Sequence, residues 1–283
     1  MYLYEMHCHA LPCSACGGIQ PEDLVRGMKE VGYYNGVIGP LAEMTVPVFD
    51  RALYFGDGIY DAAYTRNHII YALDEHIARF YLNLSRLEIA EPMPREELSA
   101  LLVELVGRVD DDEQFVYWQA TRGSALRDHS FPEGERKSNL MIMLRPVPIK
   151  PVYKPIRLIS AEDKRYLYCN MKTLNLLPSV LTAEMATRAG VDETVMHRGE
   201  RVTECSHSNV SILKNGAFIT PPADEYILPG VGRAHLIAAS KTLGIPVEER
   251  IFTMQELRDA DEIIVSSAGS LCLSACELDG EPV

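Results

Sequence analysis

Four prolines within eleven residues constrain this chain more than any other feature. In Arg145-Pro146-Val147-Pro148-Ile149-Lys150-Pro151-Val152-Tyr153-Lys154-Pro155 each proline lacks a backbone donor and holds φ fixed, so the stretch can run neither as a regular helix nor as a central strand. It reads as a connector between domains. At 283 residues the chain exceeds the usual size of one core. The expected organisation is an N-terminal extension over 1–30, a smaller domain over 31–146, a linker over 147–154 and a larger domain over 155–283.

Hydrophobic periodicity fills both halves. Strands are expected at Thr45 to Phe49, Ile69 to Ala72, Phe115 to Thr121 and Leu140 to Leu144, from alternating or β-branched runs. Helical spacing relates Ile77, Phe80, Tyr81, Leu84 and Leu87, and again Leu98, Leu101, Leu102, Leu105 and Val109. The first half is thus a sheet packed with two helices. Pro21 before Glu22 and Asp23 marks a further helix start, with acids at the positive end of the dipole.

In the second half Val180, Leu181, Glu184 and Met185 begin a helix closed by Gly190, and Val231 to Leu243 forms another closed by Gly244. Thr253-Met254-Gln255-Glu256 has capping-box spacing. Asn215-Gly216 between two apolar runs signals a two-residue hairpin, and Asp279-Gly280 a second.

Composition narrows the class of activity. A hydrophobic content of 47% with 24% charged residues is that of a soluble globular protein. The net charge of −13 without a Lys/Arg cluster speaks against a nucleic-acid partner. No apolar run is long enough to span a bilayer, and the first residues lack the basic flank and apolar stretch of a signal peptide, so a cytoplasmic protein with no membrane partner is expected. Seven cysteines, an odd number, do not suggest a disulfide framework. His7-Cys8-His9 with Cys13-Ser14-Ala15-Cys16 has the look of a metal site, but no second Cys-x-x-Cys pair completes it. A plain extension and no metal are expected.

The chemistry concentrates in Cys169-Asn170-Met171-Lys172-Thr173-Leu174-Asn175-Leu176-Leu177, which sets a lysine among short polar groups before an apolar run. Held against an apolar wall, its amine loses hydration and becomes available for a Schiff base with an aldehyde. Downstream lies Val202-Thr203-Glu204-Cys205-Ser206-His207-Ser208-Asn209-Val210, and upstream Asp50-Arg51-Ala52-Leu53-Tyr54-Phe55-Gly56-Asp57-Gly58-Ile59-Tyr60, followed by His76-Ile77-Ala78-Arg79.

This ordered set resembles the fold-type IV pyridoxal-phosphate (PLP) enzymes, which include D-amino acid aminotransferases, branched-chain aminotransferases, aminodeoxychorismate lyases and R-selective amine transaminases. The resemblance runs from about Val31 onward. It implies a mixed α/β (α+β) fold of two domains, the larger with a barrel-like mixed sheet, and pyridoxal 5'-phosphate in the cleft between them. Relatives generally add a helix beyond the final turn, whereas this sequence stops at Val283. Apolar surface is therefore expected to be exposed at that end.

Residue by residue, the resemblance makes Lys172 the Schiff-base lysine and the general acid/base. It makes Glu204 the carboxylate that keeps the pyridine nitrogen protonated, and Arg79 the phosphate arginine. Gly230-Val231-Gly232 opens a helix whose free N–H groups suit an anion, so Val231 and Gly232 are phosphate candidates. Ser267 and Ala268, within Ser266-Ser267-Ala268-Gly269-Ser270, form a candidate backbone nest. Relatives often carry threonines where this chain has Gly232 and Ala268, so backbone groups and Ser267 have more of the phosphate to hold.

Arg127-x-His129, after Thr121-Arg122-Gly123, resembles the carboxylate trap of D-amino acid aminotransferases, completed by Tyr60. A guanidinium, an imidazole and a phenol together fix one carboxylate, and so decide which substrate face meets Lys172. The implied activity is transamination between D-amino acids and 2-oxo acids, with D-alanine and 2-oxoglutarate giving pyruvate and D-glutamate. In such relatives the trap reaches across a homodimer while the lysine and tyrosine come from the home subunit. Alternatives are a branched-chain L-aminotransferase or an aminodeoxychorismate lyase, neither expected to carry Arg-x-His. A third is a non-enzymatic homologue, against which intact Lys172 and Glu204 argue.

Overall fold

The structure, a computed structural model, describes residues 28–134 and 137–283. The expected helix start at Pro21 and the Cys/His segment at 7–16 lie outside the described residues.

The first half runs β1 (Val31–Tyr34), β2 (Val37–Pro40), a short α1 (Ala52–Phe55), β3 (Gly58–Arg66), β4 (Ile69–Ile70), α2 (Leu73–Arg86), α3 (Arg95–Val106), β5 (Gln114–Thr121) and β6 (Asn139–Pro146). The strands form one antiparallel sheet in the order β2-β1-β6-β5-β3-β4. Strict alternation sorts its faces. Val116, Trp118 and Ala120 of β5 are buried on the face that packs with Phe80, Leu84 and Leu102 of the two helices. The same alternation turns Asp61 inward, where it is fully buried, and leaves Tyr60 on the other face.

Two strand expectations need correction here. Thr45 to Phe49 is irregular chain after a single 3-10 turn at Leu41–Glu43. Pro47 removes a ladder donor, and Val46, Val48 and Phe49 are all exposed, so no burial favours pairing. The strand expected through Ala72 ends at Ile70, because Ala72 takes a left-handed φ of 50° at the entry to α2.

The second half runs β7 (Ile156–Glu162), α4 (Leu177–Ala189), β8 (Glu193–Arg198), β9 (Arg201–Cys205), β10 (Asn209–Lys214), β11 (Ala217–Thr220), α5 (Val231–Thr242), β12 (Val247–Glu249), α6 (Met254–Arg258), β13 (Glu262–Ser266), β14 (Leu273–Leu278) and β15 (Glu281–Pro282). Its curled mixed sheet has the order β12-β11-β10-β13-β14-β7-β8-β9, with β15 beside β14. Pairs β11/β12, β14/β7 and β7/β8 are parallel. A second apolar cluster, including Leu158, Val195, Ile212 and Phe252, forms under this sheet.

Local signals hold well here. Asn215 and Gly216 both take positive φ, 51° and 75°, and join β10 to β11 as a two-residue turn. The Thr253 hydroxyl accepts from the Glu256 N–H while Glu256 accepts from the Thr253 N–H, a complete capping box. Helix α4 starts three residues earlier than Val180, at Leu177 with Pro178 in its first turn, and it turns Thr182 and Ala186 inward. Leu177, Val180 and Leu181 are exposed.

Candidate active site

The segment between β7 and α4 docks on β3 of the first sheet. The Tyr60 N–H donates to the Lys172 carbonyl at 2.9 Å, and the Leu174 N–H to the Gly58 carbonyl at 3.1 Å. Asn175 completes the attachment, its Nδ2 donating to the Gly56 carbonyl at 2.9 Å. These bonds fix the lysine at the seam between the two sheets. Its Nζ lies 4.3 Å from the centre of the Tyr60 ring, which stacks on Tyr117 at 5.4 Å. Tyr60 and Lys172 thus belong to one wall.

Glu204, near the end of β9, lines the same cleft and is almost entirely buried. One carboxylate oxygen accepts from Arg165; the other accepts from Asn209 Nδ2 at 2.8 Å and from the Leu228 N–H at 3.1 Å. Burial pushes its carboxyl up to about 7, against the pull of Arg165, of these hydrogen bonds and of the Lys172 ammonium. Behind it, Arg165 donates from Nε and Nη2 to the two oxygens of buried Asp163 at 3.0 and 2.9 Å, and Arg198 approaches the same carboxylate at 3.3 Å. Four charged groups therefore orient one another, each with its partner. Gly230 is required by this packing, since a Cβ there would come within 2.0 Å of Asn209 Oδ1.

An anion corner lies at the start of α5. The first intrahelical bond there runs from the Ala234 N–H to the Gly230 carbonyl, so the N–H groups of Val231 and Gly232 have no helical partner. Gly232 approaches the 266–270 turn closely enough that a Cβ would stand 3.3 Å from the Ser267 carbonyl. Ser267 Oγ accepts from the Ser270 N–H at 3.1 Å, and Ala268 lines the cleft beside it. Ser266 Oγ is buried with no partner among the described residues, and Ser266 lines the cleft too.

Arg79 borders this corner, donating from Nη1 to the Pro229 carbonyl at 3.1 Å. Its fork faces elsewhere: Nε and Nη2 bind the two oxygens of Asp61 at 2.9 and 2.7 Å. Asp61, which also meets His76 Nδ1 at 2.8 Å, has its carboxyl held far below the usual range: the Arg79 and His76 contacts override the opposing effect of burial. The Nη1 edge is what remains for a ligand.

Arg127 and His129 do not join Lys172, Tyr60 and Glu204. Both are exposed, and neither lines the Lys172 cleft. His129 borders an adjoining hollow with Arg51, Phe55 and Arg122. Of the residues named from sequence, Lys172, Tyr60, Glu204, Arg79, Val231, Gly232, Ser267 and Ala268 share one cleft, and the Arg-x-His pair stands outside it.

Sequence reasoning missed Arg165, Asp163, Asn209, Asp61 and Ser266. Asn209 and Ser266 sit inside the quoted stretches, so position alone could have drawn attention to them. Asp163-Lys164-Arg165 carries no local signal: Arg165 meets Glu204 across thirty-nine positions of chain.

The set is a deep carboxylate held by an arginine, a lysine against an aromatic ring, and a corner of free N–H and hydroxyl donors. It can take a phosphate-bearing group with a basic ring nitrogen. The profile described as Amino-transferase class IV matches residues 58–278. A D-alanine aminotransferase of Listeria monocytogenes serotype 4b is 38% identical over 245 residues, covering 85% of each chain. One of Staphylococcus aureus MSSA476 is 36% identical over 253 residues, covering 89% of this chain and 90% of the relative. The branched-chain aminotransferase of the thermophilic archaeon Thermoproteus uzoniensis, solved with norvaline, superposes with a TM-score of 0.81 at 22% identity, over 89% of this chain and 88% of its own, a likeness of fold. With a match over most of its length and relatives above one-third identity, this chain belongs to the class IV aminotransferase family.

Proposed function

We propose that the chain is a pyridoxal 5'-phosphate-dependent D-amino acid transaminase, with D-alanine and 2-oxoglutarate as the pair giving pyruvate and D-glutamate. The observation that carries the reading is the convergence of Lys172, Glu204 and the α5 anion corner on one cleft. The two D-alanine aminotransferases that are over one-third identical to it across the aligned residues support the choice of substrate. The donor set fits the cofactor: an unpartnered buried hydroxyl on Ser266, free helix N–H groups and the Arg79 edge suit a phosphate. Bound there, the cofactor supplies an aldehyde that exchanges amines and a ring that accepts electrons from the substrate α-carbon.

The protein's part is to place charge and move one proton. Lys172 would hold the aldehyde end of the cofactor through its amine and, as a free amine, would move the proton at the substrate α-carbon. Tyr60 limits where its Nζ can stand. Glu204, whose ionised form Arg165 favours against burial, would hold a proton on the ring nitrogen. Val231, Gly232, Ser267, Ala268 and Arg79 hold the phosphate. Arg127 and His129 come from a second copy in a homodimer and, with the home Tyr60, hold the substrate carboxylate. Their place outside their own chain's cleft supports that arrangement. A cytoplasmic setting is part of the proposal, in keeping with four free cysteines among the described residues.

The test is chiral product analysis of the PLP-loaded protein. D-Alanine with 2-oxoglutarate should yield D-glutamate, and L-leucine should yield no glutamate. Faster turnover of L-leucine would replace this reading with the branched-chain one.

A further inference from the structure

Arg51 is a buried arginine outside the cleft, only 3% exposed, and its partners point to a purpose. Its Nε donates to Asp57 at 2.8 Å, and its Nη1 to the carbonyl of Asp128 at 2.7 Å. Asp128 is the residue between Arg127 and His129. The Asp57 carboxylate also receives Arg122 Nε at 3.0 Å, so one acid ties together two arginines. Arg122 in turn donates to the carbonyls of Leu87 and Glu88 at 2.9 and 3.0 Å and stacks on Phe131 at 3.7 Å. The loop from 122 to 131 is pinned at its start, its middle and its end.

Phe55 supplies the floor. Its ring lies 4.8 Å from the Arg51 guanidinium, 5.2 Å from that of Arg127 and 5.1 Å from the His129 ring centre. The main chain agrees, the Arg51 N–H donating to the Gly123 carbonyl and the Ala125 N–H to the Phe49 carbonyl, both at 3.0 Å. Burying charge costs desolvation that apolar packing would avoid, so two arginines on one carboxylate are a poor way simply to stabilise a turn. What a guanidinium fork provides is direction: its planar, rigidly spaced N–H groups hold a carboxylate and a carbonyl at fixed angles, whereas a lysine ammonium is a rotatable point charge on a flexible stem.

We propose that Arg51 and Phe55 are positioning residues for substrate specificity: they seat the loop between Arg122 and Phe131 so that Arg127 and His129 present a preformed grip to a substrate carboxylate. This rests on the reading of Arg127-x-His129 as the carboxylate trap. Arg51 and Phe55 touch neither cofactor nor reacting atoms, so their effect falls on carboxylate affinity and spares the chemical step.

The test uses the PLP-loaded protein with Arg51→Lys, Phe55→Leu, Arg127→Ala and the double variant Arg51→Lys/Arg127→Ala. Propionate, a carboxylate without an amino group, is titrated by calorimetry, beside kcat and KM for D-alanine, the visible absorbance of the bound cofactor and the thermal midpoint. Arg51→Lys should weaken propionate and raise KM by about tenfold, the scale of one charged hydrogen bond, with kcat and absorbance unchanged. Adding it to Arg127→Ala should cause no further loss, since both act on one grip. Phe55→Leu should act in the same direction and keeps the question open to measurement if Arg51→Lys does not fold. A lowered thermal midpoint with unchanged propionate affinity in both single variants, while Arg127→Ala weakens propionate, would overturn the positioning role alone. Unchanged affinity in Arg127→Ala would overturn the trap and this inference together.

Discussion

Glu204 and Arg127 serve the same proposed reaction from opposite physical settings. Glu204 is held in a buried network in which Arg165, Asn209 and a main-chain N–H all converge on its two oxygens. Arg127 is exposed on a loop, and its described surroundings are one aromatic ring and the seat beneath it. On the proposed function, the electron-accepting end of the site is completed within one chain, while the carboxylate-binding end is only prepared there. A buried charge has to be fully partnered at folding, whereas a surface guanidinium can wait for its ligand.

The largest test of that contrast separates the two ends between subunits. Lys172→Ala should lower turnover by roughly 10²- to 10⁴-fold or more, the range attached to a positioned acid/base, while leaving the fold intact. Arg127→Ala should also be poor with D-alanine. When the two variants exchange subunits at random, heterodimers are about half the population and one site in each is whole, so roughly a quarter of all sites should recover. No recovery above the separate variants, with exchange verified by mass spectrometry, would mean that both ends act within one chain.

A smaller effect sharpens the buried side. Burial raises the Glu204 carboxyl to about 7 from an ordinary 4.5, so between these values the folded protein keeps a proton that the unfolded chain has released. The contribution of this group to stability is therefore full below pH 4.5 and declines as pH rises through 7. At about 1.4 kcal/mol per pH unit, the stability of cofactor-free wild type relative to Glu204→Gln should fall by on the order of 3 kcal/mol over that window. Urea unfolding at several pH values reads it, and comparison with the Gln variant cancels carboxyls with opposite slopes, such as Asp61. A flat difference would show that Arg165 keeps Glu204 charged throughout.

The smallest effect lies far from both regions and serves as their reference. Thr253→Ala removes one half of the capping box on α6 and should cost about 1 kcal/mol. Neither propionate affinity nor kcat should change. A change in either would mean that loss of stability alone can mimic the effects expected at the two ends of the site.

Much of the local structure was legible because its causes lie within a few residues. Asn215-Gly216 turns as its tolerance of positive φ requires, and Thr253 and Glu256 cap each other three positions apart. Lys172 stood out by its setting among short polar groups before an apolar run, and Glu204 through the resemblance to the fold-type IV enzymes. Where burial had to be known, local pattern misled: Val46, Val48 and Phe49 look like a strand yet face outward.

The sequence by itself determined the turns and the caps, because these follow from covalent geometry and near-neighbour hydrogen bonds. Only the tertiary structure decided that Arg165 reaches Glu204, that the Arg79 fork is spent on Asp61, and that Arg51 grips the Asp128 carbonyl seventy-seven positions away. Those pairings depend on how two sheets and their loops come to rest against each other. Buried charge must find its counterpart wherever the fold brings one, and no local pattern in the chain announces where that is.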